Sequence, residues 1–159
     1  MIKSILYICL FTILLSTLSG QTSFVCKVIG IKDGDTIEIL TSAKKTITIR
    51  LNGIDAPEKN QAYGQKSKEN LSKLIFGKQV KIYSFGNDRY GRLLADIYLD
   101  SINVNYCQVE NGFAWHFKKY SKDEYLAQLE NRARAQKLGL WQDKNPMPPW
   151  DFRKLTKYR

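Results

Sequence analysis

Three β-patterned runs, one helix-patterned run and two further β-patterned runs follow one another between Ser23 and Tyr98, an order that few small folds satisfy. Ser23 to Ile31 is rich in Phe, Val and Ile. It leads into Lys32-Asp33-Gly34-Asp35-Thr36, whose Asp-Gly pair marks a hairpin, and Thr36 to Leu40 returns as a second strand. After a loop over Thr41 to Lys44, Lys45 to Asn52 alternates as a third. Gln65 to Phe76 carries Leu71, Leu74 and Ile75 on one face and lysines on the other, which predicts a helix stopped by Gly77. Val80 to Phe85 and Arg92 to Tyr98 supply a fourth and fifth strand, joined by a turn over Gly86-Asn87-Asp88-Arg89-Tyr90-Gly91. Five short strands with a helix between the third and fourth predict an α+β fold built on a small, partly open, five-stranded OB-fold β-barrel, whose open face suits polyanions.

Beyond the barrel, Asn103 to Asn111 reads as a short helix ended by Gly112, with Val104 and Val109 towards the core. Ser121-Lys122-Asp123-Glu124 has the form of a capping box and opens a longer helix to Lys137, the third of three expected α-helices. Trp141 to Trp150 contains Pro146, Pro148 and Pro149, so an extended Pro/Trp C-terminal tail over the surface is expected.

With 159 residues the chain has room for one domain with a real core. Residues 1–20 stand apart: Lys3 is their only charge, Ile5 to Leu15 is almost wholly apolar, and Ser16 to Gly20 is small and polar apart from Leu18. The apolar run is short for a membrane span and has the form of a signal peptide cleaved near Gly20, an uncleaved anchor being the alternative. A secreted or periplasmic protein of residues 21–159 is therefore expected, as a monomer. Loss of residues 1–20 would remove one lysine and no acid, leaving 24 Lys and Arg against 15 Asp and Glu, a net +9 in place of +10. Such a charge favours nucleic acid or an anionic membrane surface as partner. Cys26 and Cys107 could pair, which closing so long a loop would make worth about 4 to 5 kcal/mol, or could remain as two buried thiols.

The chemistry concentrates at Arg50-Leu51-Asn52-Gly53-Ile54-Asp55-Ala56-Pro57-Glu58, where the third strand ends in a corner. Gly53 permits backbone geometry that other residues resist, and Pro57 fixes φ and biases Ala56 towards an extended conformation. Asp33 has an ordinary reading as a turn residue; Asp35 follows the turn glycine, where the turn does not require it. Asp35, the corner and Arg92 together offer two carboxylates for a hard metal, a third to take a proton, and two guanidiniums to grip phosphate oxygens. The donors are oxygen only, the chain has one histidine and no paired cysteine motif, and calcium is thus a better match than zinc. His116, among aromatics, reads as structural.

Asp33-Gly34-Asp35-Thr36, the Arg50 to Glu58 corner and Tyr90-Gly91-Arg92 resemble, in order and spacing, the thermonuclease or staphylococcal nuclease-like family, and the Gly139-Leu140-Trp141 and Pro148-Pro149-Trp150 segments resemble the tail of its secreted bacterial members. The resemblance covers roughly Ser23 to Arg153. It implies a Ca²⁺-dependent, sugar-non-specific nuclease that cleaves DNA and RNA to 3′-phosphate and 5′-hydroxyl ends. By the same resemblance Asp35 and Asp55 ligate Ca²⁺ with the main-chain oxygen of Ala56, Glu58 is the general base, and Arg50 and Arg92 stabilise charge on phosphorus. Arg92 would also assist the leaving 5′-oxygen, and Tyr90 would contact substrate phosphate. Ala56 stands where the best-known member has threonine, a small change where the ligand is a backbone carbonyl. The alternative is a non-catalytic OB-fold module that only binds nucleic acid.

Overall fold

The computed structural model describes residues 22–156. The signal-peptide expectation for residues 1–20 falls outside the described residues. Strands β1 (Thr22–Ile31), β2 (Thr36–Leu40) and β3 (Thr46–Leu51) form an antiparallel meander, β5 (Gln79–Asn87) pairs with β1, and β6 (Leu93–Leu99) pairs with β5. A parallel pairing of β3 with β6, Ile49 opposite Leu93 through Leu51 opposite Ala95, joins the two ends of this sheet. The five-stranded OB barrel is therefore closed rather than partly open, because three consecutive residues of β3 find backbone partners on β6. Two-residue strands β4 (Ile54–Asp55) and β7 (Ile102–Asn103) add to it, and β4 pairs with β8 (Trp115–His116).

Period-two alternation explains which side chains fill the barrel. Ile37 and Ile39 of β2, Ile49 and Leu51 of β3, and Val80 and Ile82 of β5 point inward and are almost completely buried. Each such side chain contributes about 1.5 to 3 kcal/mol relative to exposure. Helix α1 (Gly64–Ile75) adds Leu71 and Ile75 to the same core, α2 (Val104–Glu110) adds Val104 and Val109, and α3 (Glu124–Ala135) adds Leu126 and Leu129. A smaller cluster of Trp115, Ala133, Leu140 and Trp141, with Tyr63 and Trp150 against it, lies outside the barrel.

Two details differ from expectation. The N-cap of α3 is Asp123, whose Oδ1 accepts from the N–H groups of Tyr125 and Leu126 at 2.8 and 3.1 Å; Ser121 instead accepts from the Asp123 N–H and meets His116 Nε2 at 3.0 Å. The tail is not extended: a 3₁₀ turn (Gly139–Gln142) precedes a fourth helix, α4 (Pro149–Thr156), so the described chain has four α-helices where three were expected. Pro149 opens α4, the one position where a missing N–H costs a helix nothing, and the Pro148 carbonyl accepts from Asp151 and Phe152 at 3.1 Å each. Cys26 and Cys107 are both free thiols.

Candidate active site

Three turns bring the charged residues to one side of the barrel. In the first, Asp33 Oδ1 accepts the Asp35 N–H at 3.0 Å, so Asp33 does turn work and aims Asp35. Gly34 has no room for a side chain: a methyl there would overlap the Ser67 side chain of α1 and the Ala56 methyl. Gln108, fully buried on α2, donates to the Gly34 carbonyl at 2.6 Å and to the Ser67 carbonyl at 3.3 Å, pinning the turn to two helices. Asn105, also on α2, donates to the Asn52 and Ala95 carbonyls and so fastens the end of β3 to β6. Neither amide carries a signal in the sequence, since each is one polar residue in a short helix.

The second turn is the Arg50 to Glu58 corner. Alternation puts Ile49 and Leu51 inside the barrel and Arg50 outside, yet Arg50 is only 9% exposed because carboxylates cover it. Its Nη2 lies 2.8 Å from Asp55 Oδ1 and 3.1 Å from Asp35 Oδ2. Gly53 adopts a left-handed φ of 74° and its carbonyl accepts the Phe117 N–H at 2.9 Å, which lets β4 fold back and pair Asp55 with Trp115. Asp35 Oδ2 also accepts the Ala56 N–H at 2.5 Å, and Asp35 Oδ1 the Thr36 hydroxyl at 3.0 Å. Glu58 is fixed through its backbone: Gln61 accepts its N–H at 3.1 Å and donates to the Met147 carbonyl at 2.6 Å, tying the corner to the tail.

In the third turn Asp88 receives Arg92 twice, from Nε at 2.8 Å and Nη2 at 2.7 Å, while its other oxygen accepts the backbone N–H groups of Tyr90 and Arg92. Burial works against the Asp88 charge, but these hydrogen bonds outweigh it and hold the carboxyl below the usual range. Tyr90 stands 67% exposed at the rim, with the Arg89 and Arg92 guanidiniums over its ring at 4.7 and 5.5 Å.

A cleft of about 860 Å³ receives Asp35, Arg50, Asp55, Glu58, Tyr90 and Arg92, with Ala56 also in its lining, so all the residues expected at a site line one cleft. Among the other residues that line it is one whose charge bears directly on the carboxylates. Arg153, on α4, reaches Asp55 Oδ2 with Nη2 at 2.7 Å and Glu58 Oε1 with Nη1 at 2.6 Å. Only the helical turn of the tail brings it there, which is why an extended tail hid it. Burial disfavours its charge, yet the hydrogen bonds that it donates to Asp55 and Glu58 prevail and hold the guanidinium above its ordinary pKa.

The donor set fits a hard cation. Among the described residues no group of three or more His, Cys, Asp and Glu is placed to hold a metal ion, so a cation would rest on two carboxylates, Asp35 and Asp55, completed by backbone oxygen and water. Burial pushes the Asp35 carboxyl up to about 8 despite Arg50, and an added positive charge beside it would keep it ionised at neutral pH.

Barrel, covering helices and charged cleft define a nuclease-type OB-fold domain. Residues 48–143 match the family described as Staphylococcal nuclease homologue. An uncharacterized endonuclease of Haemophilus influenzae is 46% identical over 132 residues, 83% of this chain and 74% of that protein. An uncharacterized endonuclease of Escherichia coli O157:H7 is 47% identical over 128 residues, 80% of this chain and 83% of that one. A micrococcal nuclease of Shigella flexneri is 36% identical over 156 residues, 91% of this chain and 89% of that one. The chain belongs to the staphylococcal nuclease homologue family.

Proposed function

We propose that this protein is a calcium-dependent, sugar-non-specific nuclease that hydrolyses phosphodiester bonds of DNA and RNA and leaves 3′-phosphate and 5′-hydroxyl ends. The observation that carries this reading is the convergence of Asp35, Arg50, Asp55, Glu58 and Arg92 on one cleft. Family membership and a net charge of +10 support nucleic acid as substrate.

Asp35, Asp55 and the Ala56 carbonyl would hold the cation. When bound there, calcium would supply positive charge to offset that of the phosphate. Glu58 is the base: its side chain is 39% exposed against 7% for Asp35 and 2% for Asp55, so it alone of the three reaches solvent freely. It takes a proton as the water oxygen bonds to phosphorus and the bond to the 5′-oxygen breaks. Arg50 and Arg92 offset the charge that grows on the equatorial oxygens, and Arg92 also hydrogen-bonds the departing 5′-oxygen. Tyr90, at the rim, contacts a substrate phosphate.

In the same reading residues 1–20 are a signal peptide cleaved near Gly20, and the enzyme works as a monomer in the periplasm or outside the cell. Among the described residues no helix is long and apolar enough to cross a membrane. Digestion of supercoiled plasmid and of RNA, with and without Ca²⁺, with analysis of product ends, tests the activity. Cleavage of both polymers only with calcium is expected; intact substrate would leave a binding module, and 5′-phosphate ends would overturn the assigned bond.

A further inference from the structure

The geometry points to an exchange of partners by Arg153: its guanidinium holds the carboxylates of Asp55 and Glu58 before a cation binds, competes with that cation for Asp55, and once displaced grips the substrate phosphate. This rests on the reading of the cleft as a divalent-cation-dependent phosphodiester site.

Every oxygen of the two expected ligands already carries a donor. Asp35 Oδ1 accepts from Thr36, and Asp35 Oδ2 from Arg50 and Ala56. Asp55 Oδ1 accepts from Arg50 at 2.8 Å and more distantly from Arg153 Nη1 at 3.3 Å, and Asp55 Oδ2 accepts from Arg153 Nη2 alone at 2.7 Å. Asp35 and Asp55 Oδ1 are held at their shortest contacts by Arg50 of β3 and by the neighbouring Thr36 and Ala56, whereas Asp55 Oδ2 has only Arg153, which comes from α4 and is 40% exposed. Asp55 Oδ2 is thus the oxygen that a cation can claim at least structural cost, and it is where Arg153 sits. Two positive charges cannot share it closely where the carboxylates of Asp35 and Asp55 are almost wholly withdrawn from water.

The charges agree. Once a cation keeps Asp35 ionised, the carboxylates of Asp35, Asp55 and Glu58 carry three negative charges, and Arg50 offsets one of them. Replacing Arg153 by a divalent cation balances the group, and frees a forked donor on the wall of the same cleft to meet the one negative charge of a phosphodiester. The side chain can move without its helix. Trp150 anchors α4 by stacking on Phe117, centroids 5.4 Å apart and planes 5° from parallel, and by an edge contact with Trp115 at 5.6 Å.

The exchange predicts opposite changes that a merely structural residue would not produce. In Arg153→Met, calorimetric titration with CaCl₂ in the absence of nucleic acid should show calcium bound about tenfold more tightly than in wild type, since no competing state must first be vacated. The KM for DNA at saturating calcium should rise about tenfold while kcat changes little, because a charge-assisted contact to substrate is lost. Arg153→Lys, which keeps the charge and loses the fork, should fall between, and it serves if the methionine variant does not fold. In the wild-type protein, the Arg153 side-chain Nε–H resonance should shift on addition of calcium alone. Calcium affinity unchanged or weakened in both variants, or a resonance that does not respond, overturns the exchange and leaves the nuclease reading intact. Failure of the wild type to bind calcium at all removes the calcium reading, and the exchange with it.

Discussion

Asp88 and Arg92 are joined by both ends of the arginine: the guanidinium meets Asp88 Oδ2 at 2.7 and 2.8 Å, and the Arg92 backbone N–H meets Asp88 Oδ1 at 2.9 Å. One carboxylate therefore sets the loop and the direction of the side chain that it presents to the cleft. Asp88→Asn keeps the acceptor for the loop and loses the ion pair. Its kcat should fall about 10- to 100-fold with the fold intact, the cost of a misaimed group. Steady-state kinetics alongside circular dichroism check this, and wild-type turnover would detach Asp88 from catalysis.

Glu58 and Arg92 are expected to act in the reaction more than in binding. Glu58→Gln should lower kcat about 10²- to 10⁴-fold, as loss of a general base does, with a small change in KM. Arg92→Ala should lower kcat by about 10²- to 10³-fold. Single-turnover cleavage of a labelled oligonucleotide separates the two effects. If Glu58→Gln keeps wild-type turnover, another group removes the proton.

Gly34 packs against α1 where a Cβ would collide with Ser67 and Ala56. Gly34→Ala should cost about 1 to 3 kcal/mol, as overpacking of a tight contact does, and should weaken calcium binding because Asp35 shifts with the turn. Urea denaturation measures the first effect and calorimetry the second. Full stability in the variant would mean that the turn and helix are not in rigid contact.

His116 is 3% exposed, and burial is the first cause that lowers its pKa below the ordinary value of 6.5, outweighing the nearby Glu130. The unfolded chain thus binds a proton at higher pH than the folded one. Stability from this residue is complete above the unfolded pKa and is lost as pH falls from about 6.5 towards the depressed folded value. Urea midpoints followed between pH 7.5 and 5, about the range in which histidine titrates, should fall in wild type and fall less in His116→Gln. Parallel profiles would assign the acid sensitivity to other groups.

Strand order, the first and third turns and the charged corner were legible because they are local. Alternation over Thr46 to Leu51 decides which side chains enter the barrel, and Asp33-Gly34 decides where the chain reverses, whatever the rest of the molecule does. Barrel closure was not local, since β3 and β6 are distant in sequence and their parallel pairing depends on the curvature of the whole sheet. The proline-rich tail misled for a related reason: proline forbids a helix interior but suits its first position, and only packing of Trp150 against Phe117 and Trp115 selects that option.

What the sequence determined by itself was the identity of the chemical groups and the short segments that carry them: Asp35, Arg50, Asp55, Glu58 and Arg92, each within three residues of a strand end. Tertiary structure alone decided who faces whom. Gln108 and Asn105 secure the turns from α2, Asp88 aims Arg92, and Arg153 crosses from α4 to Asp55 and Glu58. Hydrogen bonds and ion pairs depend on distance in space, and a site assembled from a barrel wall and a C-terminal helix has no periodicity along the chain to reveal it.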